Sequence, residues 1–394
     1  MSIARTTARP SESSALSRLA WLDALRGIGA VAVLAEHMLP WVIPSLRPYW
    51  FNLGMYGVLV FFLVSGYIIP TSLERRGDVG GFWVGRVFRL YPLYLTVIAL
   101  VMATSWWMPI RQEVPRDSSS IATHATMLQD VLGTGAVVDT MWTLSYEMVF
   151  YLLVTTLFVI GVHRRSGSIA IGFGVAAVAS GLLMAAAPIA PGAWPSWLSF
   201  AVFFAGLACL ITGRFRTAAT YVLGAGALAL LILSSRVPWF GLAILAVMFA
   251  GTAIQRWERG EGPLWPVGVT AVLVALSPAW AIHAGWWWVR PGVWITTILL
   301  AAVTFAMAMA LRHRGTFRFL AWLGMVSYSV YLLHHPLLKY FVAITGDLRR
   351  SPLAIQALMG TLFVGLVLGA SWLTYRFVEI PMQRLGRHLT TRQT

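Results

Sequence analysis

The chain has 394 residues, of which 58% are hydrophobic and only 11% are charged, and its mean hydropathy is +0.75. Soluble domains carry about a quarter charged residues, so this composition excludes an ordinary soluble enzyme and indicates a polytopic membrane protein. The net charge of +15 does not require a nucleic-acid partner, because Lys and Arg also collect in the cytoplasmic loops of membrane proteins. The single cysteine, Cys209, excludes an internal disulfide and a thiolate metal cluster.

Twelve apolar runs in the sequence approach the length of about 20 residues that a helix needs to cross a bilayer. They predict an all-α, polytopic transmembrane bundle of about 10–12 helices, the ninth being the weakest because Pro278 interrupts it. The predicted helices are Leu22–Ile43, Leu53–Leu73, Val87–Met108, Thr140–Val162, Ser168–Pro188, Trp197–Thr212, Ala218–Ser235, Trp239–Ile254, Leu264–Ile282, Gly292–Leu311, Phe319–Val342 and Pro352–Phe377.

The distribution of basic residues predicts the orientation of this bundle. If the N-terminus lies inside the cell, 20 of the 29 Lys and Arg residues fall in inside segments and eight fall outside, with Arg26 inside the first helix. Positive charge favours the cytoplasmic side, so both termini are expected to be cytoplasmic. The chain is therefore expected to be a multi-pass protein of the cell's inner (cytoplasmic) membrane.

Three regions follow from the same patterns. Residues 1–20 are polar and basic and are expected to form a disordered cytoplasmic tail, and residues 21–380 form the transmembrane domain. Residues 381–394 are expected to form a basic cytoplasmic tail, either a surface helix or a coil. The lipid bilayer is thus an expected partner, nucleic acid is not, and a homodimer is compatible with this organisation.

The first predicted helix, which contains the stretch LRGIGAVAVLAEHML, carries groups that are costly inside a membrane. A charge at mid-bilayer costs about 2.5 kcal/mol or more, so such residues usually face the bundle interior and mark function. The spacing of Arg26 and His37 places them on one helix face, about 16 Å apart along the axis. Asp23 lies one turn before Arg26 on nearly the same face, whereas Glu36 points about 100° away from His37. The sequence therefore predicts a polar stripe of Asp23, Arg26 and His37.

Two later helices carry polar groups of the same kind. In the fourth, Glu147 is the one acid within the apolar run. In the eleventh, Ser327, Tyr331 and His334 fall at i, i+4 and i+7 and share a face, whereas His335 is predicted to point elsewhere.

Depth in the membrane brings three of these groups together. With a rise of about 1.5 Å per residue, His37 and His334 both lie about 20 Å from the inside boundary. Glu147, on a helix running the other way, lies about 10 Å from the outer boundary. In a core of about 30 Å these three residues share one level, which predicts a single site.

A third cluster surrounds the start of the third predicted helix. Arg86 and Arg89 stand at i and i+3 at its inside end, shortly after Arg75, Arg76 and the stretch GDVGG. Guanidinium groups suit phosphates, and GDVGG offers a flexible turn without matching a Walker or Rossmann pattern. Arg86 and Arg89 are therefore candidate anion ligands, whereas Arg75 and Arg76 fit plain determinants of topology.

Each candidate also has a simpler interpretation. Asp23 and Arg26 would also fit a structural ion pair at the foot of a helix, Glu147 would fit a cap on a polar network, and a buried histidine is often a satisfied core residue. The same residue types suit a proton-coupled transporter or flippase in which His37 and Glu147 relay protons. Acyl labelling or thioester hydrolysis by the purified protein separates a transferase from a transporter.

Six segments, in order along nearly the whole chain, resemble the acyltransferase-3 family of integral membrane acyltransferases. Any one of these motifs is weak, but six in order are specific. The matching segments are LDALRGIGAVAVLAEH with the Arg-x10-His pair Arg26 and His37, FFLVSGYII (Phe61–Ile69), FWVGRVFRLYPLYL with Arg86 and Arg89, MWTLSYEMVFYLL with Trp142 and Glu147, VSYSVYLLHHPLL with Tyr331 and His334, and FVEIPMQR with Glu379 and Pro381.

The resemblance implies an acyl-CoA donor, typically acetyl-CoA, on the cytoplasmic side. It implies an acceptor hydroxyl on a sugar of an envelope polysaccharide or glycolipid, and some relatives acylate macrolides or other secondary metabolites instead. Acyl-CoA would be a co-substrate, so no bound cofactor is expected. Relatives with a fused esterase-like domain complete the transfer there, and here we expect completion in the membrane or by a partner.

This reaction assigns roles to the polar residues. Transfer from a thioester to an alcohol needs a general base and stabilisation of an oxyanion. His37 is the expected base because imidazole titrates near neutrality, and Glu147 or Asp23 would orient a histidine or share in proton transfer. The sequence has no Gly-x-Ser-x-Gly elbow for an acyl-enzyme, so direct transfer without a metal is the simpler hypothesis.

Binding roles complete the expectation. Arg26, Arg86 and Arg89 lie on the side where an anionic donor would dock, so they are the expected ligands of acyl-CoA. The residues expected to contact the substrate are His334, Tyr331, Trp142 and Ser327.

Overall fold

The computed structural model describes residues 12–108, 115–184 and 193–391, and these residues form helices, turns and bends with no strand. The helices in chain order are α1 (Glu12–Val42), α2 (Leu53–Arg76), α3 (Val79–Thr104), α4 (Ser118–Thr126), α5 (Trp142–Val159), α6 (Ser166–Leu183), α7 (Trp194–Thr212), α8 (Arg216–Leu233), α9 (Pro238–Glu258), α10 (Trp265–Leu276), α11 (Ala279–His283), α12 (Pro291–Ala310), α13 (Arg318–Met325), α14 (Ser327–Thr345), α15 (Leu353–Thr374) and α16 (Ile380–Thr391).

The described helices confirm the predicted class of a polytopic helical membrane protein. Ten helices within the described ranges are long and apolar enough to cross a membrane. Two more have a spanning length but are more polar, namely α1 with 31 residues and α14 with 19 residues. These two helices carry the polar stripes of the first and eleventh predicted segments, so the chain places its least membrane-like helices where chemistry is expected.

The two expected tails fall partly outside the described residues. Residues 1–11 and 392–394 lie outside the described residues. The described part of each expected tail is helical, because α1 begins at Glu12 and α16 occupies Ile380–Thr391. Because the helices alternate in direction, α1 begins and α16 ends at the same end of the bundle, which we call the terminal end. The opposite end, which we call the loop end, holds residues 43–52, 127–141 and 346–352.

The third helix begins eight residues earlier than predicted, at Val79. Gly77 ends α2 with φ of 66°, a left-handed conformation that suits glycine, and Asp78 caps α3 through a 2.9 Å hydrogen bond from a backbone N–H of its first turn. The stretch GDVGG is therefore a tight junction of two helices and not a flexible turn. Arg86 and Arg89 consequently lie well inside α3, where they face the bundle, and not at its end.

Two further boundaries differ from the prediction, and one predicted interruption is confirmed. The eleventh segment turns at Val326, whose φ of −90° and ψ of 3° separate α13 from α14. The twelfth continues past Phe377 through a π-helical turn, Tyr375–Glu379, into α16. Pro278 separates α10 from α11, as expected for a residue that cannot donate within a helix.

Close backbone contacts hold α1 between α2 and α13. A Cβ atom added to Gly57 would lie 2.5 Å from the carbonyl oxygen of Gly29, and one added to Gly324 would lie 1.9 Å from that of Asp23. Small residues at such crossings let helix backbones approach within a membrane, where apolar lipid offers no hydrophobic drive for association. The contacts turn the polar stripe of α1 towards the interior, against α2, α13 and α14.

Candidate active site

A histidine cluster lies where α1 and α14 cross towards the loop end. The Nε2 atom of His334 lies 3.3 Å from the Nδ1 atom of His37, and the two ring centroids are 5.1 Å apart. The two residues are 297 positions apart in the sequence. The shared depth predicted for His37 and His334 therefore corresponds to direct contact in the structure.

Backbone carbonyl oxygens determine which nitrogen of each histidine ring carries the hydrogen. The Nδ1 atoms of His37 and His334 each lie 2.9 Å from a carbonyl oxygen four residues earlier, that of Val33 and that of Val330. A carbonyl only accepts, so each neutral ring carries its hydrogen on Nδ1. The Nε2 atom of His334 then accepts from His37, and the Nε2 atom of His37 keeps a lone pair. His37 is half-buried whereas His334 is 1% exposed, so His37 is the more accessible base.

A third histidine, His335, belongs to the same cluster, and the prediction that it points elsewhere is wrong. Its ring centroid lies 5.2 Å from that of His37, nearly at right angles, and its Nε2 atom lies 3.8 Å from Oδ2 of Asp139. Two successive helical residues are about 100° apart, so the His37 ring fits between His334 and His335. Asp139, which opens a short 3-10 turn before α5, was not among the predicted site residues, and the His-His doublet was the one signal of a larger cluster.

An arginine cluster lies nearer the terminal end, where α1 and α3 meet α5. The Nη1 atom of Arg26 lies 3.5 Å from Oδ1 of Asp23, and Glu147 lines the same cavity as Arg26. Within the described ranges Arg89 has no carboxylate oxygen within 4.0 Å, although Asp23 lies close enough to feel its charge. The cluster therefore keeps cationic hydrogen-bond donors that its own acids do not saturate.

Among the residues that the structure describes, aromatic rings hold Arg86 and no ion pair does. Its guanidinium carbon lies 5.0 Å from the ring centroid of Phe82 and 5.2 Å from that of Tyr151, at distances where cation–π attraction operates. The hydroxyl of Tyr151 in turn donates to the carboxylate of Glu147. Tyr151 thus joins Arg86 to Glu147 and fixes both side chains at one level of the bundle.

A cavity of about 80 Å³ connects the arginine cluster with the helices that carry the histidines. Arg26, Arg89 and Glu147 line its polar side. Its volume exceeds that of a single water site, so it admits a ligand group. The other lining residues are Val58, Phe61, Phe62, Ser65, Leu90, Thr143, Leu144, Ser327, Tyr328 and Tyr331.

Tyr331 stands between the cavity and the histidine cluster. Its hydroxyl donates to the carbonyl oxygen of Thr140 at 2.6 Å and accepts from the Thr143 hydroxyl at 2.7 Å. Its ring centroid lies 6.1 Å from that of Phe61 and 5.9 Å from that of His334. Tyr331 therefore touches both regions, which agrees with its place on the predicted stripe of the eleventh segment.

Glu147 lies on a different level from the one predicted. Thr143 on α5 meets Tyr331, which is itself one turn from His334. Glu147 is one further turn along α5, about 6 Å nearer the terminal end, where it joins the arginine cluster. The error in the predicted depth arose because helix ends read from sequence are uncertain by several residues.

Two expected substrate contacts have different positions. Ser327 lines the cavity, and its contact with substrate stays a prediction. Trp142 lies at the start of α5 with its ring centroid 5.4 Å from Phe240 and 5.9 Å from Tyr146, so the described residues place it in an aromatic cluster outside the cavity wall. Its structural setting is packing at the loop end and not contact with the arginine cluster.

Glu379, in the last matching segment, is buried in the π-helical turn after α15. The Ser329 hydroxyl donates to its carboxylate at 2.5 Å, and the Thr374 hydroxyl donates to Ser329 at 2.9 Å. Glu379 also stands close enough for its charge to interact with Arg89. Single-turn π segments often occur at functional sites, and this one orients a carboxylate towards the arginine cluster.

Phosphate is the ligand chemistry that the arginine cluster suits best. Guanidinium groups offer forked N–H donors that match phosphate oxygens, and Arg26 and Arg89 project into the cavity. In the part of the chain that the structure describes, no group of three or more His, Cys, Asp and Glu side chains is arranged to hold a metal ion.

The family model described as an acyltransferase domain matches residues 19–376, nearly the whole chain. The chain therefore belongs to the acyltransferase-3 family, as its six ordered motifs predict.

Two curated relatives carry O-acetyltransferase names. The chain is 22% identical to the O-acetyltransferase OatA of Staphylococcus aureus over 393 residues, which is 93% of this chain and 57% of the relative. It is 26% identical to the peptidoglycan O-acetyltransferase OatA of Listeria monocytogenes over 149 residues, 34% of this chain and 23% of the relative. The chain thus spans less than two thirds of the length of either relative. No solved structure matches it.

Proposed function

We propose that this protein is an O-acetyltransferase of the inner membrane, which moves an acetyl group from acetyl-CoA to a hydroxyl of a cell-wall sugar. The observation that carries the proposal is the ring of His37, whose Nδ1 hydrogen faces the Val33 carbonyl and His334 Nε2, so that its own Nε2 atom keeps a lone pair. Tyr331 separates this ring from the arginine-lined cavity. The family supports acyl transfer, the names of both relatives support an acetyl group, and the name of the Listeria relative supports a peptidoglycan acceptor.

The reaction balances without an external oxidant or metal. The acceptor hydroxyl attacks the thioester carbonyl while His37 Nε2 takes its proton, so a C–O bond forms. The tetrahedral intermediate then collapses, the C–S bond breaks, and the imidazolium of His37 returns the proton to the leaving thiolate. The products are an acetyl ester and the free thiol of coenzyme A, and His37 ends in its starting state.

The separation of the two clusters fits a long thioester donor. Arg26 and His37 are about 16 Å apart along α1, a distance that an extended pantetheine arm covers. Phosphates held by Arg26, Arg86 and Arg89 would leave this arm in the cavity and bring the thioester to the histidines. The donor would enter from the terminal end, where the basic excess of the sequence lies.

The orientation is part of the same proposal, with both termini cytoplasmic and the histidine cluster near the outer surface. Cysteines introduced at Ser2 and at Ser45, after replacement of Cys209, give a direct measurement. An impermeant thiol reagent added to intact cells is expected to label the cysteine at position 45, in the exposed loop end, and to spare the one at position 2. Rapid labelling at position 2 alone would reverse the orientation.

The activity is tested with purified protein in liposomes that contain radiolabelled acetyl-CoA, with peptidoglycan fragments outside. We expect label in an alkali-labile ester of the glycan with the wild type, and none with His37→Ala. Label in a macrolide but not in a glycan would keep the acetyl transfer and replace the acceptor. Movement of an unmodified solute with no ester formed would favour a transporter and overturn the proposal.

A further inference from the structure

His335 and Asp139 lie beside His37 and have no part in the proposed reaction. His335 packs its ring against that of His37, with centroids 5.2 Å apart, and its Nε2 atom lies 3.8 Å from Oδ2 of Asp139. His335 is 7% exposed, whereas the side chain of Asp139 is 48% exposed at the loop end. The three side chains form a row from the half-buried base to a carboxylate at the surface.

The position of Asp139 is set by the site itself. Asp139 opens the 3-10 turn Asp139–Met141, and the next residue, Thr140, gives its carbonyl oxygen to the Tyr331 hydroxyl at 2.6 Å. Thr140 is 2% exposed. The turn is therefore anchored to α14 one helical turn away from His334, and the carboxylate stands beside the histidine cluster for a structural reason.

Glu36 and Lys339 are the other charged groups whose charges act on His37, and each also contacts a group of its own. Glu36 on α1 is paired with Arg47, with Oε1 and Nη2 2.6 Å apart. The Lys339 ammonium, one turn beyond His335, lies 5.3 Å from the ring centroid of Trp41. His334 presents a neutral ring nitrogen to His37. Asp139 is thus the negative charge that reaches His37 by way of another ring.

We propose that Asp139, acting through His335, is a positioning residue that stabilises the protonated form of His37 during acyl transfer. The inference rests on the proposed function. When the acceptor hydroxyl gives its proton to His37 Nε2, a positive charge forms between two neutral rings, and the Asp139 carboxylate offsets it from the loop end. His335 lies between the Asp139 carboxylate and the His37 ring and packs against one side of that ring. The carboxylate acts through its charge, so the proton stays on His37.

The decisive variant is Asp139→Asn, which keeps the shape and removes the charge. We expect kcat to fall about tenfold with KM for acetyl-CoA unchanged, because the donor phosphates bind at the arginine cluster. The acid limb of the pH–rate profile should move to lower pH by about half a unit or more, since the imidazolium loses a stabilising charge. Asp139→Glu should restore most of the rate, and raised salt should shrink the difference because Asp139 is exposed.

Asp347→Asn is the matched control. Asp347 also lies at the loop end, its side chain is 47% exposed, and its carboxylate pairs with Arg349 at 2.8 Å. This variant should keep the wild-type rate and pH profile. His335→Gln should also reduce the rate, as Asp139→Asn does. Because the two residues act as one unit, the double variant should be no slower than the slower of the two single variants.

Two results would overturn the proposal. One is an Asp139→Asn enzyme whose acid limb does not move, which would make the residue structural even if its rate falls. The other is full additivity of the Asp139 and His335 variants, which would mean that they act separately. A titration of the His37 ring by NMR in wild type and Asp139→Asn measures the same charge effect without turnover. It therefore stays decisive even if the acceptor assigned above is wrong.

Discussion

The histidine cluster and the arginine cluster solve different physical problems within one bundle. The rings of His37 and His334 are neutral and tied to the carbonyl oxygens of their own helices at 2.9 Å. The guanidinium groups of Arg26 and Arg89 instead face a cavity, and carboxylates balance their positive charge only in part. Fixed neutral rings suit proton transfer, which depends on atom positions, whereas incompletely paired cations suit recognition of an anion that arrives from outside.

The charge of the arginine cluster explains why the two clusters lie on separate levels of the bundle. A base surrounded by three arginines would be a poor proton acceptor, because nearby positive charge disfavours imidazolium. Tyr331 and Thr143 separate the two levels, and both line the cavity on the side of the arginine cluster. If this division is correct, variants in one cluster should change turnover, and variants in the other should change donor affinity.

The largest effect is expected from His37→Ala. Loss of a general base typically costs about a hundred- to ten-thousand-fold in rate, and donor affinity should persist because the arginine cluster is intact. His334→Ala should be milder, since the Nδ1 hydrogen of His37 still has the carbonyl of Val33. The measurement is acetyl transfer by purified variants, with acetyl-CoA binding measured separately. A dead His334→Ala beside a nearly normal His37→Ala would exchange the two roles.

The next effect is expected in the arginine cluster, from Arg86→Ala and Arg89→Ala. Charge-assisted hydrogen bonds contribute about 1.5–3 kcal/mol each, so acetyl-CoA should bind about ten- to a hundred-fold more weakly. Turnover at saturating donor should change less. Arg165→Ala, an exposed arginine just before α6 at the same end, is the matched control and should bind normally. Equal donor affinity in all three variants would reduce Arg86 and Arg89 to determinants of topology.

Arg26→Ala sharpens the comparison, because Arg26 shares a helix face with His37 and lines the cavity. It should weaken donor binding as the α3 variants do and also lower turnover at saturating donor. Isothermal titration with acetyl-CoA and single-turnover kinetics measure the two losses separately. A pure binding defect would place Arg26 with Arg86 and Arg89, and would leave the histidine cluster independent of it.

A smaller effect is expected from Tyr331→Phe, which keeps the ring between the clusters and removes its hydroxyl. The hydrogen bonds to Thr140 and Thr143 are lost, and each typically contributes about 0.5–1.5 kcal/mol. We expect a few-fold fall in kcat with unchanged donor affinity. The variant Tyr221→Phe, on the exposed face of α8, serves as control. A change in donor affinity alone would assign Tyr331 to the arginine cluster.

The smallest effect concerns His124, a histidine outside both clusters in the short helix α4. Its Nδ1 atom donates to the carbonyl oxygen of Ser120 at 2.7 Å, and its Nε2 atom accepts from the N–H of Val137 at 3.0 Å. Burial lowers the pKa of His124 below its ordinary value of 6.5, so the unfolded segment takes up a proton first. The segment is fully stable above that value and loses stability as the pH falls below it.

Amide exchange at Val137 measures this dependence. Protection should be constant above neutrality and should decrease on acidification, while His124→Gln should show little change over the same range. Protection that is independent of pH in the wild type would mean that the His124 ring is not the group that holds this turn.

The sequence predicted the parts of the site that lie along one helix and missed those that depend on how helices meet. The stripe of Asp23, Arg26 and His37 needs only the helical repeat, and the contact of His37 with His334 followed from their depth. The position of His335 depends on the offset between α1 and α14, which the glycine contacts of α1 set and no single helix reveals.

Helix ends caused the remaining errors. The third segment was begun too late because the glycines of GDVGG suggested a turn, although Asp78 is a good N-cap. Glu147 was placed too near the histidines because a shift of one turn moves a side chain by about 5.4 Å. Asp139 had no signal at all, since it lies in a short turn between elements and reaches the site only through tertiary packing.

The 297 residues that separate His37 from His334 also bear on how the protein is made. At about 5–20 residues per second of synthesis, α14 leaves the ribosome about 15–60 s after α1. During that interval α1 already carries charged and titratable side chains in the membrane, and its partner α14 does not yet exist. The contacts of His37 with His334 and His335 therefore form only after the last helices have inserted, and until then the His37 ring is held by the Val33 carbonyl of its own helix alone.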